Sequence, residues 1–392
     1  MTSSAIDRAR PYMAALADEL ATTGAIRSRP WAEAFASVPR HLFVPRWYEQ
    51  ETNEKGITVW REHQPTNNDL AAAYRDQTLV TVLDHTSAEQ VDETAWTGVP
   101  TSSSTLPSLM AGMLEDLQVE DGHRVLEIGT GTGYNAALLS HRLGEHLVHS
   151  VDVDPALIEN AQQRLGDAGY MPQLAPCDGT GGYPGGQAYD RIIATCSVPA
   201  IPPAWLAQSK PGALIVADVA LGIEGGLVRL AVDRHGRAVG HFTGTTGRFM
   251  AARSQALAYV PPHRTERAPE AGTRATTVTA ADIRSAYPFR LLLAFHLPRT
   301  ELVYHVDESG MALQIQSADG SWARTPLAGD DTATVTHGGP AELWQQVEAA
   351  WRWWTDAGRP AQDRFGYARE ADGSAHVWHI PDGTRWDLPP AA

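Results

Sequence analysis

The sequence predicts an α/β fold, a mainly parallel sheet with helices on both faces, followed by a C-terminal α+β domain. Three observations carry this. From about residue 106 to 255, apolar strand-like runs alternate with amphipathic helical stretches, the pattern of strands joined by crossover helices. Within it, the glycine-rich turn Gly129-Thr130-Gly131-Thr132-Gly133 separates the buried strand ending around Arg124-Val125 and Leu126-Glu127-Ile128 from the helical Asn135-Ala136-Ala137-Leu138-Leu139-Ser140. Beyond Pro261-Pro262, Pro269 and Gly272, read as a linker, the pattern changes to short β-runs, one helix and a hairpin.

The elements follow in order. Ile6, Ala9, Met13, Leu16 and Leu20 recur at spacings of three and four, so residues from about 5 to 25 predict one helix, ended by Gly24. Trp47 to Val99 is polar and mixed, with Trp60, Tyr74 and Trp96 as anchors, and reads as an inserted flap near an acceptor site. Val148 to Asp152 is the strand after the glycine turn, and Leu157, Ile158, Ala161 and Leu165 mark a crossover helix. Tyr189 to Thr195 reads as a further strand. In the C-terminal part, 301–306, 311–316 and 321–324 read as strands joined by the turns Asp307-Glu308-Ser309-Gly310 and Ala318-Asp319-Gly320. Leu343, Val347, Ala350, Trp351 and Trp354 share one helical face, and 365–368 with 375–380 form a closing hairpin about Asp372-Gly373. Seven of the twelve tryptophans lie after residue 315, which fits a small aromatic core or, if exposed, a peptide-docking surface. The expected division is 1–105, a helical segment and flap; 106–258, the α/β core; and 270–392, an accessory α+β domain.

Composition narrows the function. The chain has 392 residues, 43% hydrophobic, enough for two domains with a sizeable core. A formal net charge of −15 and the lack of a dense Lys/Arg stripe argue against nucleic acid as substrate. The same acidity means that an acidic substrate needs specific local contacts. Cys177 and Cys196 permit neither a disulfide framework nor a zinc site, so no metal is expected, and both read as buried small apolar residues. No apolar run approaches a membrane span and the N-terminus lacks a signal-peptide pattern, so a cytoplasmic protein is expected. Oligomeric state is left open.

The glycine turn and Asp152, an acid about 20 residues further on, suit a nucleotide whose ribose the carboxylate binds. Glycines at alternate positions let the backbone approach a ligand closely. Glu127 at the strand end discriminates between cofactors. It would repel a pyrophosphate, but it suits a cofactor carrying an amine and a sulfonium, such as S-adenosylmethionine. Asp178-Gly179, between two apolar stretches, suits an adenine contact; taken alone, Asp178 before a glycine is a turn former.

With these residues in place, the chain resembles the protein L-isoaspartyl O-methyltransferases, over roughly residues 30–255. The resemblance includes Val38-Pro39-Arg40-His41-Leu42-Phe43-Val44-Pro45, similar to the family's VPRHxFVP segment, the glycine turn, Asp152, Asp178-Gly179-Thr180 and the stretch from Asp190 to Pro203. It implies a class I, Rossmann-like methyltransferase with S-adenosylmethionine as cofactor and S-adenosylhomocysteine as product. Glu127, Gly129, Thr130, Gly131, Gly133, Asp152, Asp178 and Gly179 would form the cofactor site, and Val198, Pro199 and Ala200 would contact substrate. The chain departs from the repair enzymes before the core. Their Gly-Gln-Thr-Ile-Ser-x-Pro segment is replaced by Thr101-Ser102-Ser103-Ser104-Thr105-Leu106-Pro107, so the acceptor-holding roles fall to Ser103, Ser104 and Thr105. The stretch before it is longer by about 35 residues, and roughly 130 residues follow the core. These departures resemble the homologues that act on ribosomally made peptides such as lanthipeptides and graspetides, where an ordinary aspartate is methylated and driven to a succinimide (aspartimide) or isoaspartate. The expected partner is therefore a modified, macrocyclic precursor peptide. Repair of isoaspartyl damage is the first alternative, and a non-catalytic S-adenosylmethionine- or peptide-binding scaffold the second.

Overall fold

The computed structural model describes residues 2–52, 58–64, 70–84, 87–254, 267–308, 310–327 and 333–390. Of the elements expected above, the linker prolines Pro261 and Pro262 and the turn residue Ser309 lie outside them.

Helix α1 (Thr2–Thr22) buries Ala9, Met13, Leu16 and Leu20 at the predicted spacing. Helices α2 (Arg29–Ser37) and α3 (Arg40–Phe43) are separated by Pro39, which lacks an N–H and turns Val38 to extended geometry. The segment expected as a flap is a sheet. β1 (Trp47–Thr52), β2 (Thr58–His63), β3 (Leu79–Leu83), β4 (Ala95–Trp96) and β5 (Pro100–Ser104) run in the order β4-β2-β1-β3-β5, with antiparallel neighbours. Trp60 and Trp96 face each other across β2 and β4. Along β3 the side chains of Leu79, Thr81 and Leu83 are buried, the period-two signature of a half-buried strand.

The α/β core continues through α4 (Pro107–Leu117), β6 (Val125–Ile128), α5 (Tyr134–Leu143), β7 (Val148–Asp152), α6 (Pro155–Ala168), β8 (Gln173–Pro176), β9 (Tyr189–Val198), α7 (Pro203–Ala207), β10 (Ser209–Ala220), β11 (Gly225–Val232) and β12 (Ala238–Phe242). Helix α6 begins at Asp154, whose carboxylate accepts from Ala156 N at 2.9 Å, and buries Leu157, Ile158, Ala161 and Leu165. β8, β7, β6, β9 and β10 are parallel neighbours, while β11 and β12 add antiparallel strands.

The rest comprises β13 (Glu270–Thr276), α8 (Ala280–Ser285), α9 (Tyr287–His296), β14 (Thr300–Asp307), β15 (Gly310–Ser317), β16 (Trp322–Pro326), β17 (Ala333–Gly338), α10 (Leu343–Asp356), β18 (Phe365–Arg369), β19 (Ala375–His379) and β20 (Arg385–Leu388). β13 to β17 form their own antiparallel sheet, β13-β17-β16-β15-β14. Two expectations need correction. Residues 270–392 are not one separate unit, and Gly272 is a strand residue, not a linker. β18 pairs with β12, from Ala238↔Arg369 to His241↔Gly366, so the closing hairpin and β20 extend the central sheet to ten strands. Without them β12 would be an open edge with unpaired backbone groups. The sheet is thus parallel in only one half, because the other half is built of hairpins.

The C-terminal tryptophans form a core, not a docking surface. Trp322, Trp344 and Trp354 are buried, and Trp351, Trp353 and Trp386 pack against the same cluster. Trp378 covers its cross-strand partner Gly366. Trp351 meets Phe289 edge-on at 4.8 Å, locking α10 onto α9. Among the described residues no helix is long and apolar enough to cross a membrane.

One side chain fixes the N-terminal sheet to the core. Arg40 is fully buried. Its Nη1 donates to Ala73 O (3.1 Å) and Arg75 O (2.9 Å). Its Nη2 donates to Gln77 O (3.0 Å), Thr105 O (3.3 Å) and Ser104 Oγ (3.4 Å). Burial lowers its pKa to about 10, so it stays charged at neutral pH. Replacing Arg40 by Met should cost about 3–5 kcal/mol, because several buried carbonyls lose their donor at once. Urea unfolding measures it, and Arg40→Lys should recover little, since an ammonium cannot span the same acceptors.

Candidate active site

A cleft of about 370 Å³ opens at the carboxyl edge of β6, β7 and β9, where ligands bind in open α/β sheets. Three segments form its walls: the glycine turn, β5 with Thr105, and a strap over residues 247–253.

The glycine turn is held from behind. Gly129 N and Thr130 N donate to Val151 O at 2.8 and 3.0 Å. Gly129 has φ +97°, and a Cβ there would lie 2.6 Å from Thr195 Oγ1, which itself donates to Gly129 O at 2.6 Å. Gly131, at φ +52°, has room around it and turns its N–H onto Asp152 Oδ2 at 2.9 Å. Asp152 Oδ1 accepts from Asp154 N at 3.1 Å. The carboxylate is therefore fixed in orientation with lone pairs to spare for ribose hydroxyls. Burial raises its pKa, while the two N–H groups and Arg253 hold it down.

Glu127 lies beneath the turn, fully buried. Asn135 Nδ2 donates to Oε1 at 2.8 Å and Ser150 Oγ to Oε2 at 2.6 Å; Ser150 Oγ also meets Thr130 Oγ1 at 2.6 Å. Desolvation pushes its carboxyl up to about 7. The sequence reading gave Glu127 a ligand amine as partner; the structure gives it two protein donors as well. Beside it, Asn135 Oδ1 is a buried acceptor without a partner among the described residues. A floor of buried acceptors suits a ligand with an ammonium and a sulfonium, so these residues fit S-adenosylmethionine.

Of the expected cofactor residues, Glu127, Gly129, Thr130, Gly131, Asp152 and Gly179 come together on the cleft. Two stand behind it. Gly133 caps α5 and packs toward Ala161. Asp178 Oδ1 accepts from Thr180 N (2.9 Å) and Thr180 Oγ1 (2.7 Å), the turn-forming role. The expected substrate contacts do not reach the cleft. Val198 is buried, and Pro199 and Ala200 line a second cavity. The reason is the strap: Ser197 N donates to Met250 O (2.9 Å) and Ala252 N to Ser197 O (2.8 Å), which closes the cleft before Val198.

Ser103, Ser104 and Thr105 line the cleft but do not act as a set. Ser102 and Ser104 are buried on one face of β5, and Ser104 Oγ is taken by Arg40. Ser102 is the residue the sequence reading missed: its Oγ, which accepts from Thr81 Oγ1 at 3.2 Å, lies 3.8 Å from the Cβ position of Gly131. Strand alternation was the available signal. The strap was missed as well. It is clamped by Asp218 Oδ2, which accepts from Arg248 Nε (3.1 Å) and Phe249 N (2.9 Å), and Glu224 joins Arg248 to Arg290 of α9 at 2.5 and 2.8 Å. Arg253 donates to Thr101 O at 3.3 Å and puts positive charge on the cleft. Cys196 lines the cleft too, not simply buried; desolvation pushes its thiol up to about 12, so it is no nucleophile.

With Glu127 beneath the turn, cofactor affinity is expected to depend on pH. The folded pKa of Glu127 is raised from 4.5, so its contribution to stability is complete below about 4.5 and lost as pH rises through about 7. A cationic ligand favours the ionised form. Affinity for S-adenosylmethionine should therefore rise between about pH 6 and 8, with the carboxyl releasing its proton as the ligand binds, and Glu127→Gln should flatten the profile. Calorimetry in buffers of different ionisation enthalpy reads both effects; a wild-type affinity independent of pH would contradict this role. In the same assay Asp152→Ala should weaken binding by about 1–3 kcal/mol.

A profile of the protein-L-isoaspartate(D-aspartate) O-methyltransferases matches residues 87–251. The protein-L-isoaspartate O-methyltransferase of Methanosarcina mazei is 34% identical over 208 residues, 52% of this chain and 69% of that protein. The enzyme of the same name from Ignicoccus hospitalis is 31% identical over 202 residues, 51% of this chain and 78% of that protein. A solved structure named protein-L-isoaspartate O-methyltransferase aligns over 93% of this chain and 98% of its own at 22% identity, with a TM-score of 0.52. That alignment takes in most of the C-terminal part, so the extension does not by itself set this chain apart from proteins of that name. The chain belongs to the protein-L-isoaspartate O-methyltransferase family, whose members are S-adenosylmethionine-dependent protein carboxyl methyltransferases.

Proposed function

We propose that the acceptor is the side-chain carboxylate of an ordinary L-aspartate in a constrained, macrocyclic, ribosomally made peptide. The observation that carries this reading is β5: a hydroxyl-rich edge strand, Thr101 to Ser104, set against the glycine turn.

S-adenosylmethionine supplies an electrophilic methyl group and leaves as S-adenosylhomocysteine. The protein's part is positioning. An aspartate with a free pKa of about 3.9 is already ionised at neutral pH and needs no general base. Ser103 Oγ makes no hydrogen bond among the described residues, so it is available to hold one acceptor oxygen while the other faces the methyl group. Ser102, whose oxygen accepts from Thr81, lies on the other face of β5, against the glycine turn. Such alignment is worth about 7–11 kcal/mol of barrier. Arg253 adds attraction for a carboxylate, which a net charge of −15 otherwise repels. In the methyl ester, the next backbone nitrogen attacks the carbonyl carbon and expels methanol, giving a succinimide without further catalysis. A macrocycle lowers the ordering cost of both steps.

A second reading, isoaspartyl repair, is favoured by the names of the relatives and by the alignment of a structure so named through the C-terminal part. Paired substrates separate the two. A cyclised peptide bearing Asp-Gly should be methylated in preference to its linear and isoaspartyl forms, with mass spectra showing a methyl ester first and then a species one water lighter than the substrate. Preference for the isoaspartyl peptide would make repair the function. With either substrate, Ser103→Ala should lower turnover and leave cofactor affinity unchanged, whereas Ser104→Ala should act mainly on stability through Arg40. Equal turnover of Ser103→Ala and wild type would remove Ser103 from acceptor alignment.

A further inference from the structure

The second cavity, about 230 Å³, lies beyond the strap, where β9 and β10 end against α9 and the C-terminal strands. Its lining is mostly apolar, from Pro199, Ala200, Leu221 and Leu388 among others, yet Arg369 and Tyr367 also face it. Arg369 is only 8% exposed. Its Nε donates to Ile201 O at 3.2 Å, and among the described residues no carboxylate stands within salt-bridge distance of it. Of the neighbouring acids, Glu370 pairs with Arg237 at 2.8 Å, and Asp372, whose Oδ1 accepts from Ser374 N and Oγ, acts on Arg369 only through space. Tyr367 is fully buried, and its hydroxyl, beside the Ile201 backbone, closes no hydrogen bond of normal geometry. At the mouth, the exposed Arg299 donates to Pro390 O at 3.3 Å and pairs with no acid among the described residues.

A guanidinium with little exposure and no carboxylate in contact is costly, and a buried hydroxyl that closes no hydrogen bond of normal geometry adds to the cost. Both are relieved by one ligand type, a carboxylate, which accepts from a guanidinium fork and a phenol together. The cavity holds a group of side-chain size. It also lies close to the methyl-transfer cleft, on the far side of the strap: Cys196 lines the cleft and Pro199 the cavity, three residues apart on one segment, so their Cα atoms are at most about 10 Å apart.

We propose that this cavity is a second subsite for the peptide substrate, taking an acidic side chain about three or four residues from the methylated one. The proposal rests on a peptide being the substrate but not on which aspartyl form accepts the methyl group. The subsite explains how a strongly acidic protein holds an acidic peptide in register: the distal carboxylate anchors, and the acceptor carboxylate then meets the β5 hydroxyls.

The test uses the full chain saturated with S-adenosylhomocysteine and fluorescein-labelled peptides, linear and cyclised, each with aspartyl or isoaspartyl acceptor. One Glu is placed three or four residues before or after the acceptor, or replaced by Ala. Anisotropy should show that one Glu placement binds about tenfold more tightly than the Ala peptide, in whichever acceptor form binds. Arg369→Met should abolish that difference while leaving S-adenosylhomocysteine affinity unchanged; Arg299→Ala, an exposed change that spares folding, should reduce it. Equal binding of all Glu and Ala peptides to wild type, absence of binding by any of them, or an undiminished preference in both variants would overturn the subsite. Preference for isoaspartyl peptides with the Glu effect intact would overturn the acceptor reading and leave the subsite standing.

Discussion

The buried guanidinium of Arg40 is the constraint on which the acceptor side of the molecule depends. A charge removed from water is tolerated only when its donors are satisfied. Arg40 meets that condition with both Nη atoms, which donate to three carbonyls over residues 73–77 and to the carbonyl and hydroxyl at Thr105 and Ser104; its Nε has no partner among the described residues. The first group leads into β3 and the second ends β5, so one side chain sets the height of the acceptor strand against the core. Its guanidinium carbon also lies 5.9 Å from the ring centroid of Tyr134, at the start of the helix that follows the glycine turn. Acceptor strand and cofactor turn thus share a support neither supplies itself.

The opposite wall is held by ions instead of carbonyls. Asp218 and Glu224 fasten the strap to β10 and α9 through Arg248 and Arg290, so the C-terminal layer reaches the cleft through the strap. This gives the extension a physical part in the site without requiring it to touch the reacting groups. Between the two walls, the turn presents N–H groups and carboxylates whose burial raises their pKa values, an environment that favours a cationic ligand over an anionic one.

The α/β core was legible because its signals are local: alternating apolar runs, Asp154 before α6, glycines where φ is positive. The family resemblance carried the cofactor residues, and six of the eight reach the cleft. What was not legible depends on partners far along the chain. The extension of the central sheet by β18 to β20 follows from an open edge on β12, more than 120 residues earlier. The strap has no periodicity of its own and takes its place from Asp218. Ser102 was passed over because 103–105 read as a run of hydroxyls, whereas a strand turns alternate residues to opposite faces. Val198 to Ala200 lie past the point where Ser197 pairs with the strap, a contact between segments far apart in sequence that no local pattern signals.

Alignment of an ionised acceptor carboxylate by the β5 hydroxyls against the glycine turn is the proposed heart of the mechanism. A crystal structure of the full chain with S-adenosylhomocysteine and a cyclic Asp-Gly peptide tests it most directly. The aspartate carboxylate should lie within hydrogen-bond distance of Ser103 Oγ, one oxygen facing the cofactor sulfur. A carboxylate held by Arg253 alone, or lodged away from β5, would contradict it.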